Sequence, residues 1–205
     1  MFPICEPAST CNSFVCNHRE EQVHFEGSKL DITQEEGQWL LDQTKIAQPS
    51  TKLLYRGSRD GWMKADFHQR CDGHGNLYMF FKFKATQRRA AGFASRKWSS
   101  NQEWTFDANS FILSIDKKIV AKADPDSRLQ MHAYWGPDFA SYSLGLTILG
   151  NYRNSMNVYG EANCEKPGYN MPFEDNEKLV CSLSGGRNYP FYHQLDEIEV
   201  WQLIE

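Results

Sequence analysis

The sequence predicts a mainly β domain of the α+β class, a two-sheet antiparallel β-sandwich flanked by short helices. Three observations carry this expectation. From Asn76 onward apolar residues recur with period two, as in strands, and not with the 3.6 period of helices. The strand candidates are short and separated by Gly, Asn, Asp and Pro turns with no long helix between them, which favours antiparallel pairing over βαβ units. Finally, 205 residues that are 40% hydrophobic and 14% aromatic suffice for one packed domain.

Residues 1–28 are rich in Ser, Asn, Cys, Pro and charge, with only scattered apolar side chains, and read as an extended arm ahead of a domain over 29–205. The domain opens at Thr33, whose hydroxyl three residues before Glu36 forms the S/T-x-x-E signature of a helix start. That helix is expected to run to about Thr44, burying Trp39, Leu40 and Leu41 or Gln43, with Pro49 closing the region. A second amphipathic helix fits Lys64 to Cys71, where Met63, Phe67 and Cys71 fall on one face and Gly73 ends it. Leu77, Met79, Phe81 and Phe83 then alternate with Tyr78, Phe80, Lys82 and Lys84, which predicts a strand with the first row inside and the second outside. Further strands are expected at Ala90–Ser95, Phe111–Ile115, Leu129–Tyr134, Leu144–Leu149 and Glu197–Leu203.

The net charge of −4 hides opposed blocks. Residues 1–50 hold 3 basic and 8 acidic groups, residues 51–100 hold 11 and 3, and residues 151–205 hold 4 and 9. Lys82, Lys84, Arg88, Arg89, Arg96 and Lys97 crowd the basic block. Such a band either matches the acidic flanks within the molecule or offers a docking face to an acidic protein partner. Together with Phe2, Ile4 and Phe14 of the arm, these six cations are the candidate partner-binding residues. A pI near 5.9 without a recognition motif speaks against nucleic acid. There is no apolar run of membrane-spanning length, and the opening MFPICEPAST has neither a basic n-region nor an apolar h-region, so a cytoplasmic protein is expected. Six cysteines without a spacing pattern are expected to be reduced, with no disulfide framework.

Catalytic signatures are sparse. G-x-S-x-G, G-x-x-x-x-G-K-[ST] and H-E-x-x-H do not occur, and Gly73-His74-Gly75 has Tyr78 where a dinucleotide fingerprint needs its third glycine. Two groups have the chemistry of metal ligands: His68, Cys71 and His74, and Cys5, Cys11, Cys16 and His18. Both are loosely spaced for zinc, and the simpler expectation has Cys71 packed inward with the histidines in solvent. Asp60-Gly61 reads as turn chemistry. Glu197 and Glu199 alternate with Ile198 and Val200 and read as a solvated strand row, and Trp98, Trp104, Trp135 and Trp201 as core or rim packing. No enzyme activity and no cofactor are expected.

Four blocks in chain order resemble the TLDc domain family: Leu53-Leu54-Tyr55-Arg56-Gly57-Ser58-Arg59-Asp60-Gly61 leading into the helix with Phe67 and Cys71, Ala91-Gly92-Phe93-Ala94-Ser95 with Trp98, Phe111-Ile112-Leu113-Ser114-Ile115, and Glu197-Ile198-Glu199-Val200-Trp201. The second block carries Ala91-Gly92 where members usually carry two glycines. The resemblance spans about residues 28–205 and implies a sandwich flanked by short helices that acts as a non-enzymatic interaction module. It also implies the settings in which such modules occur, regulation of a vacuolar-type proton ATPase and resistance to oxidative stress. A structural or stabilising subunit of a larger assembly is the favoured role, with an acidic tubulin-like polymer in a cytoskeletal or ciliary location, or an ATPase subunit, as its partner.

Overall fold

The computed structural model describes residues 23–139, 159–164, 168–188 and 192–205. The strand expected at Leu144–Leu149 and the arm residues Phe2, Ile4, Phe14, Cys5, Cys11, Cys16 and His18 lie outside them.

Helix α1 spans Gln34–Asp42 and begins as expected: Thr33 Oγ1 accepts the Glu36 amide at 3.1 Å while Glu36 Oε2 accepts the Thr33 amide at 3.1 Å. Strand β1 (Ser50–Arg56), the single turn α2 (Gly57–Asp60) and helix α3 (Lys64–Cys71) follow. Asp66 closes the start of α3 by accepting the Met63 amide at 3.0 Å. The remaining elements are β2 (Leu77–Phe83), β3 (Arg89–Ala94), β4 (Asn101–Thr105), β5 (Phe111–Ser114), β6 (Ile119–Lys122), β7 (Leu129–His132), β8 (Tyr159–Glu161) and β9 (Tyr192–Ile204). Strands β4 and β6 carry no period-two apolar row, which hides them from the sequence.

The main sheet runs β1-β9-β2-β3-β5-β6, with β8 also paired to β9, and every pairing is antiparallel. Strands β4 and β7 form the second, two-stranded sheet. One row of the main sheet, with Leu77, Met79, Phe81, Ile198 and Val200, packs on Phe67 and Cys71 of α3, on Leu129 and Met131 of β7, and on Phe139 and Tyr169. The opposite row was expected to face solvent, and it does not. Tyr78, Phe80, Phe93, Phe111 and Trp201 form a second core beneath Leu40 and Leu41 of α1. The Tyr78 hydroxyl is satisfied in that core by donating to the Leu40 carbonyl at 2.6 Å, which fixes the helix to the sheet. Period two on β2 therefore separates two buried faces, and only Lys82 and Lys84 at its end reach water.

Phe25 extends this second core. It is 1% exposed and meets Tyr78, Phe80 and Trp201 edge-on at 4.9–5.9 Å. Within the expected arm, Phe25 thus packs on the sheet, and burying one such ring contributes about 2 kcal/mol. On the other face, Gly92 lies so close to the Phe139 ring that a methyl group there would collide with it, which explains a glycine at the centre of the Ala91-Gly92-Phe93 block.

The expectation of reduced thiols fails at one pair: Cys164 and Cys181 form a disulfide across 17 residues, with Cα atoms 5.4 Å apart. Both are buried in the first core, and since residues 168–188 form isolated bridges but no extended strand, the cross-link adds a constraint there.

Candidate interaction surface

The β2–β3 hairpin divides the basic band of the sequence. Lys82 pairs in register with Arg89, and Leu77 with Ala94, so the cations near the hairpin turn and those past Ala94 lie at opposite ends of the ladder, roughly 17 Å apart at ~3.3 Å per residue.

At the turn end, matching within the molecule dominates. Arg89 donates to Glu36 Oε1 at 2.6 Å and Asp116 Oδ1 at 2.7 Å, joining α1, β3 and the β5–β6 turn. Burial alone would raise the Glu36 pKa, but the Arg89 and Thr33 hydrogen bonds with the charges of Arg89 and Lys118 outweigh it and leave the carboxyl below its ordinary range. Arg88 pairs with Glu174 at 3.0 Å and Lys82 with Asp31 at 3.6 Å. Lys84 is exposed.

At the other end the cations are not matched. Arg96 and Lys97 are exposed, and Arg128 is half-buried with its guanidinium 5.4 Å from the centre of the Phe106 ring. None of the three forms an ion pair with a described residue. Beside them Trp104 is 52% and Phe106 40% exposed. The buried Asp107 organises this corner: its carboxylate accepts the Ser95 amide at 2.6 Å, the Arg96 amide at 3.1 Å, the Ser95 hydroxyl at 2.7 Å and the Asn109 amide at 3.0 Å. Arg96 Nε also donates to the Phe106 carbonyl at 3.4 Å, which holds its cation beside the aromatic pair. Trp104, expected in core or rim packing, stands half-exposed near the end of β4. The signal lay in its neighbours, since Asn101-Gln102-Glu103 offers no apolar row to draw the strand inward.

The carboxylates expected in solvent are buried. Glu197 is 5% and Glu199 0% exposed. Glu199 accepts from Ser28 Oγ at 2.7 Å, the Lys29 amide at 2.8 Å, Arg56 Nε at 2.7 Å and Trp201 Nε1 at 2.9 Å, and so ties the chain entering the domain to β1 and β9. Glu197 accepts the amide and hydroxyl of Ser58 at the start of α2. Both are fully engaged as structural acceptors. Asp60 belongs to a similar clasp, held by Arg59 at 2.6 Å, Arg70 at 3.2 Å and the Arg56 amide at 2.9 Å, so its role exceeds turn chemistry.

Among the described residues, His68 and Cys71 of the candidate metal and nucleophile groups are likewise engaged or buried. His68, expected in solvent, is buried; Nδ1 lies 2.8 Å from Asp72 Oδ1, and Nε2 lies 3.1 and 2.8 Å from the carbonyls of His132 and Trp135. Cys71 is buried as expected, and desolvation pushes its thiol far above the usual range, with the charge of Asp72 adding to the effect. Ser184 Oγ lies 3.3 Å from His193 Nε2, a half-buried ring whose pKa burial lowers. Among the described residues, no three His, Cys, Asp or Glu side chains are grouped to hold a metal ion.

No helix is long and apolar enough to cross a membrane among the described residues. Among curated proteins, none matches the sequence. The TLDc domain matches residues 30–204, which hold the first core, all of the second except Phe25, the β9 carboxylates and the Arg96 corner, and the chain belongs to the TLDc domain family.

Proposed function

We propose that this TLDc-type module works by binding and not by catalysis, as a structural or stabilising subunit that engages an acidic surface of another protein. The observation that carries this reading is the corner where Arg96, Lys97 and Arg128 lack acidic partners among the described residues beside exposed Trp104 and Phe106. Aromatic and arginine side chains supply most of the binding energy at protein interfaces, and unmatched cations add long-range attraction. The finer assignment is a tubulin-like polymer in a cytoskeletal or ciliary setting, because such polymers present a dense acidic surface. The buried, raised Cys71 thiol is a poor nucleophile, which favours binding over thiol chemistry.

Co-sedimentation with stabilised microtubules tests the assignment. Binding is expected to weaken with added salt and to be lost when Arg96, Lys97 and Arg128 are all changed to Glu. Unchanged pelleting of that variant would remove this corner as the docking face. Family membership supports a second reading, a regulator of a vacuolar-type proton ATPase or a factor in oxidative-stress protection. On that reading, cells lacking the protein acidify their compartments abnormally, and normal compartment pH counts against it.

A further inference from the structure

We infer that the outer edge of β4 is a strand-addition site for an extended acidic segment of a protein partner. This rests on the reading of the Arg96 corner as a binding face and specifies how that face engages its partner. Strand β4 pairs with β7 alone among the described residues, in the register Glu103↔Met131, Trp104↔Gln130 and Thr105↔Leu129, which leaves its second backbone edge open there.

Edge strands in stable proteins are usually blunted by proline, lysine or a covering element. Asn101–Thr105 contains neither residue type, its bulge lies at the Asn101–Glu103 end, and Trp104 and Phe106, the latter just past the last residue of the strand, are large exposed aromatics at alternate positions. Glu103, between Asn101 and Trp104, falls on the other face of the strand by the same alternation.

Charge identifies the occupant. Arg96, Lys97 and Arg128 flank the aromatic pair without ion partners among the described residues, so an incoming strand whose outward residues are Asp or Glu gains charge-assisted contacts as its backbone pairs. Side chains that alternate acidic with β-branched set the acids on the face of Trp104 and Phe106, beside the cations and away from Glu103, and the β-branched residues on the other face. A single strand of nucleic acid would also stack on aromatics beside cations, but it offers no amide ladder to the open edge.

The probe is a short labelled peptide of alternating Glu and Val, read by fluorescence anisotropy against the intact protein. The expected result is saturable binding that weakens about tenfold or more when alternate peptide amides are N-methylated, since each lost ladder bond is worth about 1 kcal/mol. Similar losses are expected for Trp104→Ser with Phe106→Ser and for Arg96→Glu with Arg128→Glu, with the folding of each variant checked by an unchanged melting temperature. Equal binding of methylated and unmethylated peptides would overturn strand addition while leaving the face as an electrostatic docking surface. Absence of binding, or tighter binding of oligodeoxythymidine than of the peptide, would overturn it as well. Loss of microtubule pelleting with peptide binding retained would instead reject the polymer as the partner.

Discussion

Glu199 has no solvent exposure, yet it accepts from four donors brought from three separate parts of the chain. Its truncation leaves the Arg56 guanidinium, itself only 13% exposed, without a counter-charge. Glu199→Ala is therefore expected to lower stability by about 3–5 kcal/mol in urea unfolding, the loss typical of removing one partner of a buried pair. A loss below 1 kcal/mol would show that water replaces the missing carboxylate. Gly92→Ala is expected to lower stability by about 1–3 kcal/mol, because the Phe139 ring must shift to admit the methyl group. Neither role was legible locally. Glu197 and Glu199 alternate with apolar residues as an exposed polar row would, and what buries them, Ser28, Lys29, Arg56 and Ser58, lies some 140–170 residues away in sequence.

Among the elements, α1 was legible to within two residues at its end because its start depends on a local exchange between Thr33 and Glu36, and α3 because Phe67 and Cys71 share a face. Strand β2 was legible as a strand but not as a divider between two cores, since Tyr78 and Phe80 are covered by α1 and Phe25, which no short-range pattern connects to them. The carboxylate clasps at α1 and α2 have a pH signature. Glu36 and Asp60 are held below the usual carboxyl range, so the stability they contribute is present above that range and lost as pH falls through it. Burial keeps His193 neutral to lower pH than usual, so its contribution is present above the ordinary imidazole range and declines as pH drops below about 6.5. The melting temperature is expected to fall in two stages on acidification, one below about 6.5 and one near and below about 4. Glu36→Gln should diminish the second stage and leave the first. The Cys164–Cys181 link, which spacing did not reveal, encloses 17 residues of sequence separation, and Cys181→Ser is expected to cost about 3 kcal/mol in chemical unfolding. An unchanged unfolding midpoint would show that core packing alone holds the segment.

At the scale of the whole molecule, the distribution of charge decides the account. The basic band is one feature in sequence and two in space: a hairpin end where Lys82, Arg88 and Arg89 are matched by Asp31, Glu174, Glu36 and Asp116, and a β4 corner where cations stand beside aromatics. Reversing Arg89 should therefore unfold or loosen α1 before it tests docking, whereas reversing Arg96 and Lys97 should change binding with little effect on stability, which parallel melting and pelleting curves would distinguish. The most direct test is amide hydrogen exchange of the protein with and without stabilised microtubules. The account predicts added protection confined to residues 96–106 and their surroundings on β7, with the hairpin end unchanged. Protection centred on another surface, or no change at saturating polymer, would contradict it.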